Sequence, residues 1–243
     1  MPLKTLIKKL LIFLHLDLTK NLKYDRLTEE IIRKFIRKNY NCIDIGCHNG
    51  EILNQLIKQA PDGKQYAFEP IPHLYQNLIV QFKNKAMVFP YALTNSNGET
   101  TFQLVKNAPA YSGIRRRKYN IQNPEIEEIN VEKRTLDSII PVEENINFIK
   151  IDVEGGEFDV LKGAENLLKR CKPIILFECG KGASDFYNTN PNDMYDFLVI
   201  EIGLKLFTLS SFIKKQKPMN KLDFENYFEN GEEYYFVAVN DNT

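Results

Sequence analysis

Residues 42–50 read CIDIGCHNG and join a short apolar run to a glycine-containing turn, which leads into a helical pattern. This order is typical of a strand, loop and helix, in which glycines let the backbone approach a ligand and the helix start offers free N–H groups. The glycines are spaced G-x-x-x-G, whereas dinucleotide-binding loops follow G-x-G-x-x-G, so the spacing disfavours a nicotinamide oxidoreductase. On this motif alone, a structural turn and a ligand-binding loop both stay open.

Outward from this stretch the chain alternates between strand-like and helical patterns. Nearly continuous apolar strands between helices predict an α/β fold with a doubly wound, mostly parallel sheet that is covered on both faces. The predicted core strands are residues 41–45, 65–68, 86–90, 148–151 and 173–177, and the predicted helices between them are residues 51–58, 74–82, 158–168 and 194–202.

Three segments depart from this alternation. Residues 98–134 alternate with period two and predict an inserted β-ribbon between the third and fourth core strands. Residues 204–239 end in an aromatic and β-branched run, which predicts an antiparallel C-terminal strand. Residues 1–40 show helical spacing of apolar side chains, so we expect an N-terminal helical extension (1–40) ahead of one ligand-binding domain (41–243).

The composition excludes several classes of protein. The 243 residues hold 32 Lys and Arg against 32 Asp and Glu, a net charge of zero that argues against a nucleic-acid partner. The four cysteines form no CxxC pair and predict free thiols in a reducing compartment. The N-terminal apolar run is too short to cross a bilayer and lacks a cleavage site, which predicts a cytoplasmic protein. No pattern indicates an oligomeric state.

The charge is unevenly distributed along the chain. Residues 1–40 hold ten Lys and Arg against four Asp and Glu. A basic amphipathic segment is typical of peripheral binding to anionic lipid, so one hypothesis is that residues 1–20 contact the inner face of a membrane. The alternative is a helix that packs on the domain with its lysines in water.

Two acidic positions follow predicted core strands. Glu69 and Pro70 come directly after the second strand, where a carboxylate can accept both ribose hydroxyls of an adenosine ligand. Asp152 ends the fourth strand, at the edge where open α/β sheets bind ligands. Glu157 is interpreted as complementing the dipole of the next helix.

In this order the motifs resemble the FkbM family of S-adenosylmethionine-dependent methyltransferases, a branch of the class I Rossmann-like methyltransferases. The resemblance runs from about residue 41 to residue 178 and rests on an ordered set of short blocks. These are the D-x-G-A-N-x-G loop at 44–50, E-P at 69–70, A-L at 92–93 followed by Gly98, T-L-D-S at 135–138, K-I-D-V-E-G-x-E at 150–157 and L-K-G-A at 161–164. The resemblance implies a class I methyltransferase-like fold.

The resemblance also implies a function and a cofactor site. The implied reaction is methyl transfer from S-adenosylmethionine to a hydroxyl of a glycan, sugar or secondary-metabolite acceptor. In this chain Cys47 and His48 replace the usual Ala and Asn of the loop, and His48 can still donate a hydrogen bond. The implied cofactor residues are Asp44, Gly46, His48 and Gly50 at the methionine end, Glu69 and Pro70 at the ribose, and Ala92 and Leu93 at the adenine.

A neutral hydroxyl is a poor nucleophile, so a general base or a divalent cation should assist the reaction. We expect Asp152 to be the base or a metal ligand, with Glu154 and Glu178 in support. If a metal binds, Asp152 and Glu178 offer oxygen ligands that suit magnesium better than zinc. The sequence leaves base and metal open.

The basic run that follows Ser112 is the candidate acceptor-binding segment. One hypothesis is that Ser112, Arg115, Arg116 and Arg117 bind an anionic acceptor, and the alternative is a solvated loop. A different class of function also stays open, namely a catalytically inactive methyltransferase-like module that binds a ligand or a partner as a scaffold.

Overall fold

The computed structural model describes residues 19–240. The predicted helix over the apolar positions 3–14, and nearly all of the predicted lipid-contact segment, lie outside this range. Among the described residues, none of the helices combines the length and the apolarity needed to cross a membrane.

The strands are β1 (Cys42–Ile45), β2 (Gln65–Phe68), β3 (Met87–Phe89), β4 (Ala92–Leu93), β5 (Gly98–Val105), β6 (Ile126–Arg134), β7 (Phe148–Ile151), β8 (Ile174–Glu178), β9 (Lys205–Thr208) and β10 (Tyr235–Val239). Seven of them form one central sheet in the order β3-β2-β1-β7-β8-β10-β9, and three form a small second sheet in the order β4-β6-β5. The helices are α1 (Lys20–Phe35), α2 (Glu51–Gln59), α3 (Pro72–Gln81), α4 (Glu157–Lys162), α5 (Glu165–Cys171), α6 (Pro191–Tyr195), α7 (Leu209–Ile213) and α8 (Lys221–Asn230).

The central sheet confirms the predicted doubly wound α/β fold. Strands β3, β2, β1, β7 and β8 pair in parallel, and β10 runs antiparallel between β8 and β9. The order reverses direction between β1 and β7, so the carboxyl ends of these two strands flank the crevice where open sheets bind ligands. This crevice is where the sequence places the candidate site.

The inserted ribbon is present and is larger than a hairpin. Strands β5 and β6 pair antiparallel from Gly98 opposite Lys133 to Val105 opposite Ile126. The short β4 adds to β6 in parallel and joins the ribbon to the central sheet. The ribbon is thereby fixed above the crevice, where its residues can form one wall of a cavity.

Two predicted helices differ from those in the structure. The predicted helix 158–168 is two helices, α4 and α5, because the chain turns at Gly163, where a Cβ would lie 2.1 Å from the carbonyl oxygen of Thr94. The predicted helix 194–202 begins earlier, as α6, and continues as a π-helix over Asp196–Glu201.

Helix α1 packs directly on one face of the sheet. Thr19 caps its N-terminus by accepting the N–H of Leu22, and its buried face includes Tyr24, Leu27 and Ile31. These side chains share one apolar cluster with residues of α2, α7 and the central strands. The division of the chain into 1–40 and 41–243 stays a prediction.

Candidate functional site

A cavity of about 500 Å³ opens at the carboxyl edge of β1, β2 and β7, under the small sheet. Of the residues that the sequence singled out, most line this cavity, and Gly50, Arg116, Arg117 and Glu178 do not. Those lining it are Asp44, Gly46, His48, Glu69, Pro70, Ala92, Leu93, Ser112, Arg115, Asp152 and Glu154.

The glycine loop after β1 packs against the end of β7. Gly46 has a φ of +71°, and a Cβ at this position would lie 1.8 Å from the carbonyl oxygen of Asp152. Gly50 has a φ of +74° and starts α2, where a Cβ would meet Phe82 and Leu78. Gly46 therefore allows the close approach of two loops at the cavity. Gly50 does not line the cavity, and it allows the turn that leads into α2.

Glu69 forms hydrogen bonds with both loops that follow β1 and β2. One carboxylate oxygen accepts the backbone N–H of His48 at 2.8 Å, and the other accepts that of Ile71 at 3.0 Å. Burial raises the pKa of this carboxyl to about 7, against the lowering effect of these two N–H donors. A carboxylate has about four acceptor positions, so Glu69 can still accept two further donors from a ligand.

Asp44 is fully buried beside Lys150, and the parallel register of β1 and β7 sets these residues side by side. The Lys150 Nζ lies 3.6 Å from Asp44 Oδ1 and donates to the carbonyl oxygen of Gly46 at 3.1 Å. Neither carboxylate oxygen of Asp44 has a hydrogen-bond partner among the described residues. Burial raises the pKa of Asp44, and Lys150 opposes this shift. The cavity thus holds a buried carboxylate with acceptor positions left for a ligand.

Asp152 is held by two groups from neighbouring strands. Its Oδ2 accepts the hydroxyl of Tyr235 at 2.6 Å and lies 3.4 Å from Lys150 Nζ. Tyr235 belongs to β10, where it pairs with Glu178 of β8. Sequence reasoning missed Tyr235, although its place at the start of the predicted antiparallel strand put it at the same edge as Asp152.

Glu154 is paired with Arg117 from the loop between β5 and β6. The guanidinium of Arg117 also lies 4.9 Å from the ring centre of Tyr111. Burial and the nearby Asp152 raise the pKa of Glu154 well above its ordinary range, and Arg117 opposes them. The prediction that Arg117 faces an acceptor is not supported, because its side chain is largely buried and occupied by this ion pair.

Arg115, Arg116 and Ser112 have separate environments. Arg115 stacks on the ring of Tyr187 at 5.3 Å and donates to the carbonyl oxygen of Phe186, at the cavity wall. Arg116 donates to Gln103 instead and does not line the cavity. The Ser112 hydroxyl accepts the N–H of Val105, so it braces the loop. Only Arg115 of the basic run therefore reaches the cavity.

Two residues of the K-I-D-V-E-G-x-E block, Gly155 and Glu157, stabilise the loop that follows β7 and do not line the cavity. Glu157 is buried and accepts the N–H groups of Val153 and Gly155, so it does more than complement a helix dipole. A Cβ on Gly155 would lie 2.6 Å from the carbonyl oxygen of Ala183 and 2.8 Å from the ring of Tyr187. Tyr187, which sequence reasoning also missed, packs against this glycine and lines the cavity.

The structure does not support the magnesium alternative. Glu178 ends β8 outside the cavity lining, and burial together with Asp152 raises its pKa well above the ordinary range. Within residues 19–240, no three His, Cys, Asp or Glu side chains are grouped so as to hold a metal ion. Of the two proposed metal ligands, only Asp152 lines the cavity, where it contacts Tyr235 and Lys150.

Comparison with known proteins finds a matching family model and similar folds. The family model described as the methyltransferase FkbM domain matches residues 44–212, more than half of the chain. The methyltransferase FkbM of Methylobacillus flagellatus KT has a similar fold, with a TM-score of 0.51 and 16% identity over 84% of this chain and 44% of that one. The precorrin-6y C5,15-methyltransferase of Geobacter metallireducens GS-15 matches at a TM-score of 0.47 and 11% identity, over 89% and 88%. No curated protein matches the chain significantly in sequence.

Proposed function

Because the chain belongs to the FkbM methyltransferase family, we propose that it transfers a methyl group from S-adenosylmethionine to a hydroxyl of a sugar, glycan or secondary-metabolite acceptor. The observation that carries this proposal is the pair of buried carboxylates, Asp44 and Glu69, which line one cavity at the carboxyl edge of adjacent strands. Their positions suit the amino-acid end and the ribose of an adenosyl ligand that carries an amino acid.

The residues of the cavity fit this cofactor. Asp44 is fully buried with the Lys150 ammonium 3.6 Å away, and its carboxylate would accept the ammonium of the methionine moiety as a further donor. Glu69 would accept the ribose hydroxyls with its remaining acceptor positions. Ala92 and Leu93 supply an apolar wall that suits an adenine ring. Gly46 lets the loop after β1 pack directly against the backbone of Asp152, so that both loops border the same cavity.

When bound, S-adenosylmethionine supplies an activated methyl group on a sulfonium, so the protein chiefly has to align an acceptor and accept its proton. Asp152 is the general base of our proposal, since its carboxylate lines the cavity. Its Oδ2 is bound by Tyr235 and faces Lys150, which fixes the orientation of the carboxylate and leaves Oδ1 for the acceptor hydroxyl.

We propose that fewer residues bind the acceptor than the sequence predicted. Arg115 and Tyr187 form a guanidinium-aromatic pair at the cavity wall, which suits a planar or ring-shaped acceptor that carries hydrogen-bond acceptors. Arg117 acts through Glu154 and keeps this buried carboxylate paired. We assign neither Arg116 nor Glu178 a contact with the acceptor.

Transfer of isotope-labelled methyl from S-adenosylmethionine tests this function. The purified protein is incubated with panels of sugars, glycans, nucleotide sugars, polyhydroxylated metabolites and amines, and labelled products are identified by mass spectrometry. The proposal predicts label on a hydroxyl oxygen, and no label with Asp152→Asn. Label on an amine would contradict oxygen transfer. Cofactor binding without any labelled product would favour the inactive binding module.

A further inference from the structure

The start of helix α1 packs on the segment that leads into β10. The Lys20 Nζ donates to the carbonyl oxygens of residues 231 and 232, at 2.8 and 3.1 Å. In the same turn of the helix, the Lys23 Nζ lies 2.6 Å from a carboxylate oxygen of Glu233. The first turn of α1 therefore holds the chain in place just before β10 begins.

Tyr24 lies at the centre of this contact and is buried. Its hydroxyl donates to Glu233 at 2.5 Å and accepts the backbone N–H of Tyr234 at 3.2 Å. Its ring lies 5.2 Å, centre to centre, from the ring of Tyr235. Aromatic rings attract each other at centre distances of roughly 4.5–7 Å. Tyr24 therefore contacts both the chain that precedes Tyr235 and the Tyr235 ring itself.

The place of the Tyr235 hydroxyl depends on the orientation of its ring. The backbone of Tyr235 is fixed by its pairing with Glu178 in β8, and its hydroxyl donates to Asp152 at 2.6 Å. Between these two points the side-chain torsions decide where the hydroxyl lies. The Tyr24 ring packs against the Tyr235 ring and so restricts these torsions. The hydrogen bond to Asp152 is thereby linked to the docking of α1.

We propose that Tyr24 is a positioning residue for Asp152, because it holds the ring of Tyr235 and Tyr235 orients the carboxylate. Both tyrosines lie outside residues 44–212, the region that the family model matches. Helix α1 then belongs to the machinery of the site, although the sequence predicts it as an extension ahead of the domain. The effect on methyl transfer rests on the proposed function, whereas the coupling of Tyr24 to Tyr235 does not.

NMR of the full chain with tyrosine labelled at ¹³Cζ tests the coupling without any acceptor. The Tyr235 signal is identified by its absence in Tyr235→Phe, and its position reports the hydrogen bond of the hydroxyl. Tyr24→Leu should shift this signal in the same direction as Asp152→Ala does, and Tyr24→Phe, which keeps the ring, should shift it less.

The matched control is Ile31→Ala, at a fully buried position of α1 about two turns from Tyr24. This variant should destabilise the protein and leave the Tyr235 signal in place. An unmoved signal in Tyr24→Leu, or an equal shift in Ile31→Ala, would overturn the proposal. If Tyr24→Leu does not fold, an unmoved signal in Tyr24→Phe would overturn it as well.

Kinetics with the acceptor from the labelling screen separate positioning from stability. Tyr24→Leu should lower kcat about tenfold, as expected for loss of the Tyr235 hydrogen bond, and leave the KM of S-adenosylmethionine within about twofold. In a Tyr235→Phe background the same substitution should lower kcat by less than about twofold, because the hydroxyl that Tyr24 positions is already absent. Losses that multiply in the double variant would contradict the proposal. A Tyr235 signal that shifts as expected, in a protein that labels no acceptor, would support the coupling and refute only the proposed methyl transfer.

Discussion

The hydroxyl of Tyr235 donates to Oδ2 of Asp152 at 2.6 Å, and this contact joins the antiparallel strand β10 to the end of β7. Lys150 lies 3.4 Å from the same oxygen and 3.6 Å from Asp44. One lysine thus lies between the residue proposed to hold the cofactor and the residue proposed to accept the proton. We assign Tyr235 and Lys150 to the positioning of Asp152.

Tyr235→Phe should slow methyl transfer without weakening cofactor binding. A hydrogen bond to a charged group contributes about 1.5–3 kcal/mol, so its loss in the transition state would lower kcat by roughly tenfold or more. Rates with the acceptor found in the labelling screen, together with calorimetry of S-adenosylhomocysteine, measure the two effects separately. An unchanged kcat would remove Tyr235 from the proposed mechanism.

Cofactor binding should release protons near neutral pH. Burial raises the pKa of Glu69 to about 7 from 4.5, and ribose hydroxyls would favour its ionised form. Affinity should therefore weaken as the pH falls through about 7. Titrations at pH 6.5 in two buffers of different ionisation enthalpy measure the released protons. Glu69→Gln should abolish the release and weaken binding, since an amide has one carbonyl oxygen for the N–H groups of His48 and Ile71.

The same shifts predict how stability depends on pH. Burial also raises the pKa of Glu157 to about 7. A carboxyl whose folded pKa lies above its unfolded value binds more protons when folded, so it lowers the free energy of unfolding as the pH rises from about 4.5 to about 7. Urea denaturation across this window should show a shallower decline for Glu69→Gln than for the wild type. An equal slope would argue against a raised pKa at Glu69.

Gly46→Ala should destabilise the protein far more than Gly231→Ala. Both glycines have a positive φ, +71° and +62°, so the conformational cost of a side chain is similar. A Cβ at Gly231 meets nothing within 4 Å, whereas one at Gly46 would meet the Asp152 carbonyl oxygen at 1.8 Å. We expect a loss of about 1 kcal/mol for Gly231→Ala and of at least about 3 kcal/mol for Gly46→Ala. Equal losses in urea denaturation would contradict the close packing of the two loops.

Arg117→Gln should cost more stability than Arg116→Gln. Removing Arg117 leaves the buried carboxylate of Glu154 without its cation, a change that typically costs about 3–5 kcal/mol. Arg116 is exposed, so its replacement should change stability by less than about 0.5 kcal/mol. The difference should be larger at pH 8 than at pH 5, because Glu154 takes up a proton as the pH falls. Denaturation at both pH values checks this, and two equal variants would show that Arg117 is not paired.

Much of the fold, and the position of three candidate residues at one cavity, could be predicted because the signals are local. Asp44, Glu69 and Asp152 each follow an apolar strand, and strand ends in a parallel sheet meet at one edge. The contacts of Tyr235 and Arg117 depend on the pairing of β10 with β8 and on the path of the inserted loop, which no local pattern encodes. The break at Gly163 was missed for a similar reason, since the contact with Thr94 is distant in sequence.

The most direct test of the central claim is calorimetric titration of the purified chain with S-adenosylmethionine, S-adenosylhomocysteine and NAD. We expect saturable binding of both adenosyl ligands at one site, at least tenfold weaker binding by Asp44→Asn, and no binding of NAD. Absence of binding by either adenosyl ligand to the folded wild-type protein would contradict the proposed cofactor site and, with it, the proposed methyl transfer.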